Sequence, residues 1–373
     1  MVVAHLTSAH PVHDVRIYVK ECRTLRAAGY DVVLVAPGCA DSVDDLGVRI
    51  VGRPRRRRRL GRILFTTLEV LVEALRTRAE IVHFHDPELI PSGLLLKLLG
   101  RRVIYDVHEN LPDQVLNKTW LPQGFRKVIG ALMDGVERAA ALAFDGIVAA
   151  TPQIACRFPS RKTNVVQNFP IKSEFTTVGV SEHERSPRVV YVGNIAEIRG
   201  IVQMVRAMEL IRERAPKLRM SIAGAFSDPS LQDRVASMPG WQSVDFLGWQ
   251  PREGIAELLR GAVAGLVVLH PTRSYMEAYP VKLFEYMAAG IPVIASDFPL
   301  WREIVGSARC GLLVNPLDPE QIAEATLWLL EHEKEARAMG VSGAEAVRST
   351  FNWDKEAEKL TALYSRLSSQ QGS

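Results

Sequence analysis

Residues 277–296 read EAYPVKLFEYMAAGIPVIAS, a helix pattern followed by a short β-branched run. Tyr279-Pro280 opens the helix, because proline at the first helical position gives up only an N–H that would be unpaired there. IPVIAS (291–296) is the strand that follows. Lys282 falls in the first helical turn, where the positive end of the helix dipole disfavours a cation by about 0.3–1 kcal/mol unless an anion lies beside it. A bound phosphate is the anion this placement suggests. Glu285 lies on the same face one turn further on, and Glu277 lies in the loop before the helix, seven residues separating the two carboxylates.

The same alternation extends outward in both directions. VVAHLT at the start, DVVLVA (31–36), EIVHFH (80–85), RVIYD (102–106) and DGIVAA (145–150) are short strand patterns between longer amphipathic segments. After NVVQNFP the chain turns polar from Lys172 to Arg188, and the alternation restarts with RVVYVGN, MSIAG (220–224), VDFLG (244–248), AGLVVLH (264–270) and GLLVN (311–315). The expectation is an α/β chain of two Rossmann-like, doubly wound domains, 1–172 and 186–353, facing each other across a cleft where ligands bind at the carboxyl ends of the strands. The last helical segment, about 354–368, could pack back on the first domain, and the tail SSQQGS is expected to be disordered.

Composition narrows the class. At 373 residues, with 47% apolar and 24% charged side chains, the chain has the make-up of a folded globular protein of two domains. Its net charge of +4 is modest, and the run Arg53 to Arg62 could supply most of the excess, so nucleic acid is not expected as a partner. Four widely spaced cysteines, Cys22, Cys39, Cys156 and Cys310, form no C-x-x-C pair and read as reduced core residues. No basic and apolar leader pattern precedes the first strand, and no apolar stretch reaches the ~20 residues of a membrane span, so a cytoplasmic protein is expected. There is no G-x-G, no G-K-[ST], no H-E-x-x-H and no Asp-x-Asp. Dinucleotide, kinase-loop and P-loop sites are therefore disfavoured, no metal ligand set is expected, and protein cations would have to neutralise a diphosphate.

A second cation stands at an equivalent place. Arg199, in VGNIAEIRG, follows the strand ending near Gly193 and precedes a helix from about Gly200. Arg199 as a planar fork and Lys282 as a point charge could clamp the two phosphates of a nucleoside diphosphate. Taken singly, a loop arginine is more often a solvated surface group and a first-turn lysine often is; their joint placement with the glutamate pair favours the anion.

With its Glu, seven residues, Glu spacing, the 277–296 segment resembles the signature of the retaining glycosyltransferases of family 4. VGNIAEIRG is similar to that family's Gly-Arg-x-x-x-x-Lys-Gly phosphate segment, and the order of elements agrees over nearly the whole chain. The resemblance implies the GT-B fold, with the donor nucleotide mainly on the second domain and the acceptor on the first. It also implies a hexosyltransferase that uses a nucleoside-diphosphate sugar as donor, a hydroxyl acceptor and no cofactor, with polysaccharide, glycolipid and small-metabolite glycosylation all compatible. By that resemblance Glu285 would bind the ribose hydroxyls, Glu277 would lie by the donor sugar, and Arg199 and Lys282 would hold the diphosphate. Backbone near Gly193 and Asn194, and the loop Ala278, Tyr279, Pro280 and Val281, would complete the donor site. The plainer reading of Glu285 is a cap or a partner for Lys282.

Two places depart from the family pattern. Asn194 stands where the family usually has the first arginine of the phosphate pair, leaving more of the charge to Arg199 and Lys282. SAHPVHDVR (8–16) replaces the usual paired glycines, so His10, Asp14 and Arg16 are acceptor-side candidates, set against loop capping and turn hydrogen bonds. His108, in YDVHENLP, follows the strand ending at Asp106; by resemblance it would contact the transferred sugar and stabilise an oxocarbenium-like transition state, with Glu109 as companion. His85 and Asp86 would stand one layer behind, and His83 reads as strand packing. The run RPRRRRRLGR (53–62) is either a solvated basic loop or a peripheral contact with anionic lipid at the inner face of the membrane. A GT-B epimerase acting on donor alone and a non-catalytic nucleotide-sugar-binding protein remain as alternatives.

Overall fold

The computed structural model describes residues 1–54, 61, 65–116, 122–175 and 187–369. It divides into two compact units, one of Met1–Asn168 with the chain from Lys355 onward, the other of Phe169–Asp354. The division falls after Asn168 because Phe169 and Phe175 are buried in the second unit's apolar core beside Leu283 and Phe284. Most of the run Arg53 to Arg62 and the tail from Gln370 lie outside the described residues. Ser368 and Ser369, expected in that tail, are the last residues of the helix Trp353–Ser369. Among the described residues, no helix is long and apolar enough to cross a membrane.

The first unit holds an eight-stranded sheet. Its strands are β1 (Val2–Leu6), β2 (Asp31–Pro37), β3 (Ser42–Val43), β4 (Arg49–Arg53), β5 (Ile81–Phe84), β6 (Arg102–Val107), β7 (Gly146–Ala149) and β8 (Thr163–Val165). They lie in the order β3-β4-β2-β1-β5-β6-β7-β8. All pairings are parallel except that of β3 with β4 at one edge. Near-continuous burial along β2 and β5 is what a parallel sheet covered on both faces requires. The helix Trp353–Ser369 belongs to this unit from Lys355 onward: Tyr364 is fully buried and its hydroxyl meets His83 Nδ1 at 2.8 Å.

The second unit holds β9 (Arg188–Val192), β10 (Arg219–Ala223), β11 (Val244–Gly248), β12 (Ala264–Val267), β13 (Val293–Ser296) and β14 (Gly311–Val314). Their order is β11-β10-β9-β12-β13-β14, all parallel. In sequence rank this is 3-2-1-4-5-6, the doubly wound order, and it reverses between β9 and β12. Ligands of such sheets bind outside the carboxyl ends of the strands at that reversal. The loops there are Gly193–Gly200 after β9 and His270–Pro280 after β12, which carry the residues singled out in the sequence. The first unit reverses in the same way between β1 and β5, placing the loop after Leu6 beside His85 and Asp86.

The four cysteines are free; Cys22 and Cys310 are buried, Cys39 is partly covered, and Cys156 is exposed rather than a core residue.

Candidate functional site

The donor-side candidates converge at the strand reversal of the second unit. The helix Val281–Ala288 begins one residue later than the sequence suggests: Pro280 is its N-cap, with extended backbone, and no side chain caps the first turn. The Leu283 N–H donates to the Pro280 carbonyl at 3.0 Å, and among the described residues those of Val281 and Lys282 remain to be satisfied by a ligand or solvent. Lys282 is 8% exposed, and its Nζ makes no hydrogen bond among the described residues. The ammonium stands 3.7 Å from the centroid of the Tyr191 ring, whose π face offers some compensation. Burial, then the like charge of Arg199, push the Lys282 ammonium well below the usual lysine range, opposed by Glu285.

Close backbone approach makes room for this lysine. Gly193 has φ +123°, and a Cβ there would lie 3.3 Å from Lys282 Nζ. At Gly224, at the end of β10, a Cβ would meet the Gly193 carbonyl oxygen at 1.9 Å, so the β9 and β10 loops touch backbone to backbone. Arg199 closes the short 3-10 turn Glu197–Arg199, and Gly200 (φ +82°) turns the chain into the helix Ile201–Arg214. Burial alone would lower the Arg199 guanidinium, but the phenols of Tyr275 and Tyr191 outweigh it and raise it. The Tyr191 hydroxyl donates to the Asn194 carbonyl at 2.7 Å, fixing the departure of this loop from β9.

Glu285 is buried on the same helix, but its partner is Arg252 rather than Lys282. Arg252 Nη1 donates to Glu285 Oε1 at 2.6 Å, and Nη2 binds Glu174. The Arg252 guanidinium also covers the Phe175 ring at 5.4 Å. Burial would lower Arg252, yet Glu285 and Glu174 raise it. Glu277 is half exposed and lies 3.7 Å from Arg273 Nε. The Ala278 carbonyl accepts from the buried Trp301 indole at 2.9 Å, which anchors the loop before Tyr279.

In the first unit the candidates separate into a buried support and an outer layer. Arg16 is 4% exposed and acts as a support: Nε and Nη2 bind the two oxygens of Asp106 at 3.0 and 2.9 Å, and Nη1 donates to the Val166 carbonyl at 2.8 Å. Burial would raise the Asp106 carboxyl, but Arg16 and then His108 hold it well below the carboxylate range. His108 Nε2 is 2.9 Å from Asp106 Oδ2 and 3.1 Å from His85 Nδ1. Burial pushes His85 down to about 4. Asp14 accepts from the amides of Arg16 and Ile17 at 2.9 and 3.0 Å and starts the π-helical segment Val15–Cys22, which is the capping reading. His10 lies 3.3 Å from Asp14 and 3.5 Å from Asp86; burial would lower it, but those carboxylates raise it. Asp86 also accepts from Thr7 and the Ser8 amide at 2.8 and 2.7 Å. Glu109 is exposed.

Sequence reading missed Arg252, Tyr191 and Tyr275. The signal for Arg252 was present, an arginine after the proline that begins the helix Arg252–Leu259, but its carboxylate partner stands 33 residues later and only the fold joins them.

Comparison with known proteins places both units. The family model "Glycosyltransferase Family 4" matches residues 16–168, and "Glycosyl transferases group 1" matches residues 175–346. Sucrose-phosphate synthase from Thermosynechococcus elongatus superposes with a TM-score of 0.78 at 20% identity, covering 99% of this chain and 100% of that one. Anabaena HepE in complex with UDP superposes with a TM-score of 0.71 at 12% identity, over 98% of this chain and 99% of that one. The fold is that of the GT-B glycosyltransferases. Within that class, the chain belongs to glycosyltransferase family 4. Among curated proteins it is 28% identical over 177 residues to the phosphatidyl-myo-inositol mannosyltransferase of Mycobacterium leprae, 47% of this chain and 46% of that one. It is 31% identical over 185 residues to the D-inositol 3-phosphate glycosyltransferase of Mycobacteroides abscessus, 48% of this chain and 39% of that one. The matched part thus spans less than half of either relative.

Proposed function

We propose that this chain transfers a hexose, with retention of anomeric configuration, from a nucleoside-diphosphate sugar to a hydroxyl acceptor, and that protein cations rather than a divalent metal hold the diphosphate. The observation that carries this reading is Lys282. A buried ammonium without a hydrogen-bond partner, repelled by Arg199 and seated against a glycine, is unfavourable unless an anion occupies the space beside it. A diphosphate supplies that anion and accepts from the uncapped helix N-terminus as well.

The other donor-side residues take roles consistent with their surroundings. Glu285 Oε1 is held by Arg252, which leaves Oε2 to accept from ribose hydroxyls. The half-exposed Glu277 and the amides of the loop through Ala278 to Val281 would meet the hexose and the phosphate next to it. As the glycosidic bond breaks, charge collects on the leaving diphosphate, so Arg199 and Lys282 bind the transition state more strongly than the ground state. His108, steered by Asp106 and His85, would hydrogen-bond a hydroxyl of the hexose that develops oxocarbenium character. His10 and Glu109 remain acceptor-side candidates. The names of the two curated relatives favour an inositol-containing or otherwise polyol acceptor, and solved neighbours with UDP favour a uridine donor. An acceptor at a membrane surface would bring anionic headgroups to the run Arg53 to Arg62.

The test is a thermal-shift panel of nucleoside diphosphates and nucleotide sugars in buffer free of magnesium and manganese. A ligand at 100 times its dissociation constant stabilises by about 2.7 kcal/mol. A shift with one nucleotide class that disappears in Glu285→Ala supports the assignment. No shift with any nucleotide, or a nucleotide-dependent shift only when magnesium or manganese is added, contradicts it.

A further inference from the structure

The first unit contains a buried cluster of metal-ligating side chains, none of which the proposed reaction places against the sugar or the phosphates. His5 on β1 and His83 on β5 are register partners in adjacent parallel strands, so their side chains stand on one face of the sheet. His85, two residues after His83, follows on the same face. Glu21, from the π-helical segment Val15–Cys22, completes the group. His5, Glu21 and His83 are 0% exposed and His85 is 3% exposed. One ligand atom from each of the four lies within 4.8 Å of all the others.

The direction of the ring nitrogens gives the cluster its meaning. Each imidazole uses one nitrogen on an outer partner and turns the other toward its neighbours in the cluster. His85 Nδ1 meets Asp106 Oδ2 at 3.2 Å, and its Nε2 faces His5 Nδ1 at 3.0 Å. His5 Nε2 lies 3.3 Å from the Tyr364 hydroxyl, while its Nδ1 also faces Glu21 Oε2 at 3.8 Å. His83 Nδ1 meets the same hydroxyl at 2.8 Å, and its Nε2, fully enclosed, has no hydrogen-bond partner among the described residues. Neither oxygen of Glu21 meets strict hydrogen-bond geometry among the described residues, although Oε1 lies 3.2 Å from Arg16 Nε and burial, then the neighbouring Asp106 carboxylate, push the Glu21 carboxyl up. Arg16 is already bidentate to Asp106, so one guanidinium is shared by two buried carboxylates.

We propose that His5, Glu21, His83 and His85 bind one divalent transition-metal ion, with zinc the best match to three imidazoles and a carboxylate. Four ligand atoms at about 2.0–2.2 Å from a tetrahedral ion stand about 3.3–3.6 Å apart, a range that the 3.0 and 3.8 Å separations at His5 Nδ1 bracket. Asp106 and Tyr364 are the outer partners that orient ligating histidines. Four protein ligands in a closed site leave no open position, so the ion is structural. It ties β1, β5 and the segment Val15–Cys22 together and, through His85 and Asp106, fixes the bearing of His108. This ion is separate from the diphosphate, which the proposed reaction handles without a metal.

The experiment is elemental analysis of the full chain, expressed in zinc-supplemented medium with no polyhistidine tag and purified without chelator. About one zinc ion per chain is expected, with the melting temperature falling when the ion is stripped by a strong chelator and recovering on adding zinc. Cobalt substitution should give the intense visible bands of a tetrahedral ion. Glu21→Gln and His83→Gln should each lose the ion, while Cys39→Ser and Cys156→Ser keep it. A wild-type chain that never exceeds about a tenth of an equivalent overturns the proposal, as does retention of the ion in both ligand variants. If those variants fail to fold, the cobalt spectrum of the wild-type chain decides, an octahedral spectrum or none at all counting against the site.

Discussion

Replacing Lys282 with methionine separates the cost of a buried cation from its use. Methionine keeps the contact with the Tyr191 face and a similar volume but removes the charge. An ammonium buried without a hydrogen bond costs the folded protein about 1–3 kcal/mol or more. The free variant should therefore be more stable than wild type by about that amount, and each 1 kcal/mol corresponds to about 2–4 °C in a unit of this size. The gain should depend on pH. Because the folded Lys282 is held well below its unfolded value, the unfolded chain binds the extra proton between the two values. Wild-type stability then rises with pH across that window, while the variant lacks this component and their difference narrows toward about pH 10. With nucleoside diphosphate present the order reverses, since one charge-assisted contact worth about 1.5–3 kcal/mol is lost, weakening binding about 10–150-fold. Titration calorimetry in buffers of different ionisation enthalpy should show proton uptake on binding by wild type at a pH where free Lys282 is neutral, and none by the variant. A variant that is less stable when free, yet binds the diphosphate as wild type does, would refute the reasoning.

Other substitutions reach the remaining parts of the site. Arg199→Gln should lower kcat by about 10²–10³ with a smaller change in donor affinity, read by steady-state kinetics; equal losses in both would assign it to ground-state binding. Arg252→Met should weaken nucleotide sugars but leave competition by inorganic pyrophosphate unchanged, because Arg252 holds the Glu285 carboxylate rather than the phosphate clamp. Gly193→Ala, with φ +123° and a Cβ 3.3 Å from Lys282 Nζ, should lose diphosphate binding and about 1–3 kcal/mol of stability, seen by calorimetry and urea unfolding. Asp106→Asn should cost about 3–5 kcal/mol by uncovering Arg16. Since Asp106 is held well below its unfolded value, the stability it contributes is complete above about pH 4 and fades as pH falls toward the folded value, so the gap between wild type and this variant should shrink in acid.

The sequence exposes what depends on local pattern. Period and punctuation revealed strands such as β2, β6 and β13, and a cation inside a first helical turn drew notice to Lys282 because it runs against the helix dipole. The short strands β3 and β8 were not legible, since two or three residues carry no period. Contacts between distant segments were also hidden. Glu285 could be tied to ribose only by resemblance, and its held oxygen depends on Arg252 from another helix. Arg16 looked like a loop residue facing a ligand, yet its side chain runs inward to Asp106, ninety residues away. His83 read as strand packing, and only the register of β1 against β5 brings His5 beside it.

The measurement that bears most directly on the central claim is product analysis by mass spectrometry and NMR after incubating the chain with the nucleotide sugar it binds, in buffer free of magnesium and manganese, with and without a panel of polyol, inositol phosphate and lipid acceptors. The account predicts release of nucleoside diphosphate and a glycosylated product of retained configuration only when an acceptor is present, both lost in the Arg199→Gln, Lys282→Met double variant. Conversion of the donor alone to an epimer, or binding without any turnover across the panel, would contradict it.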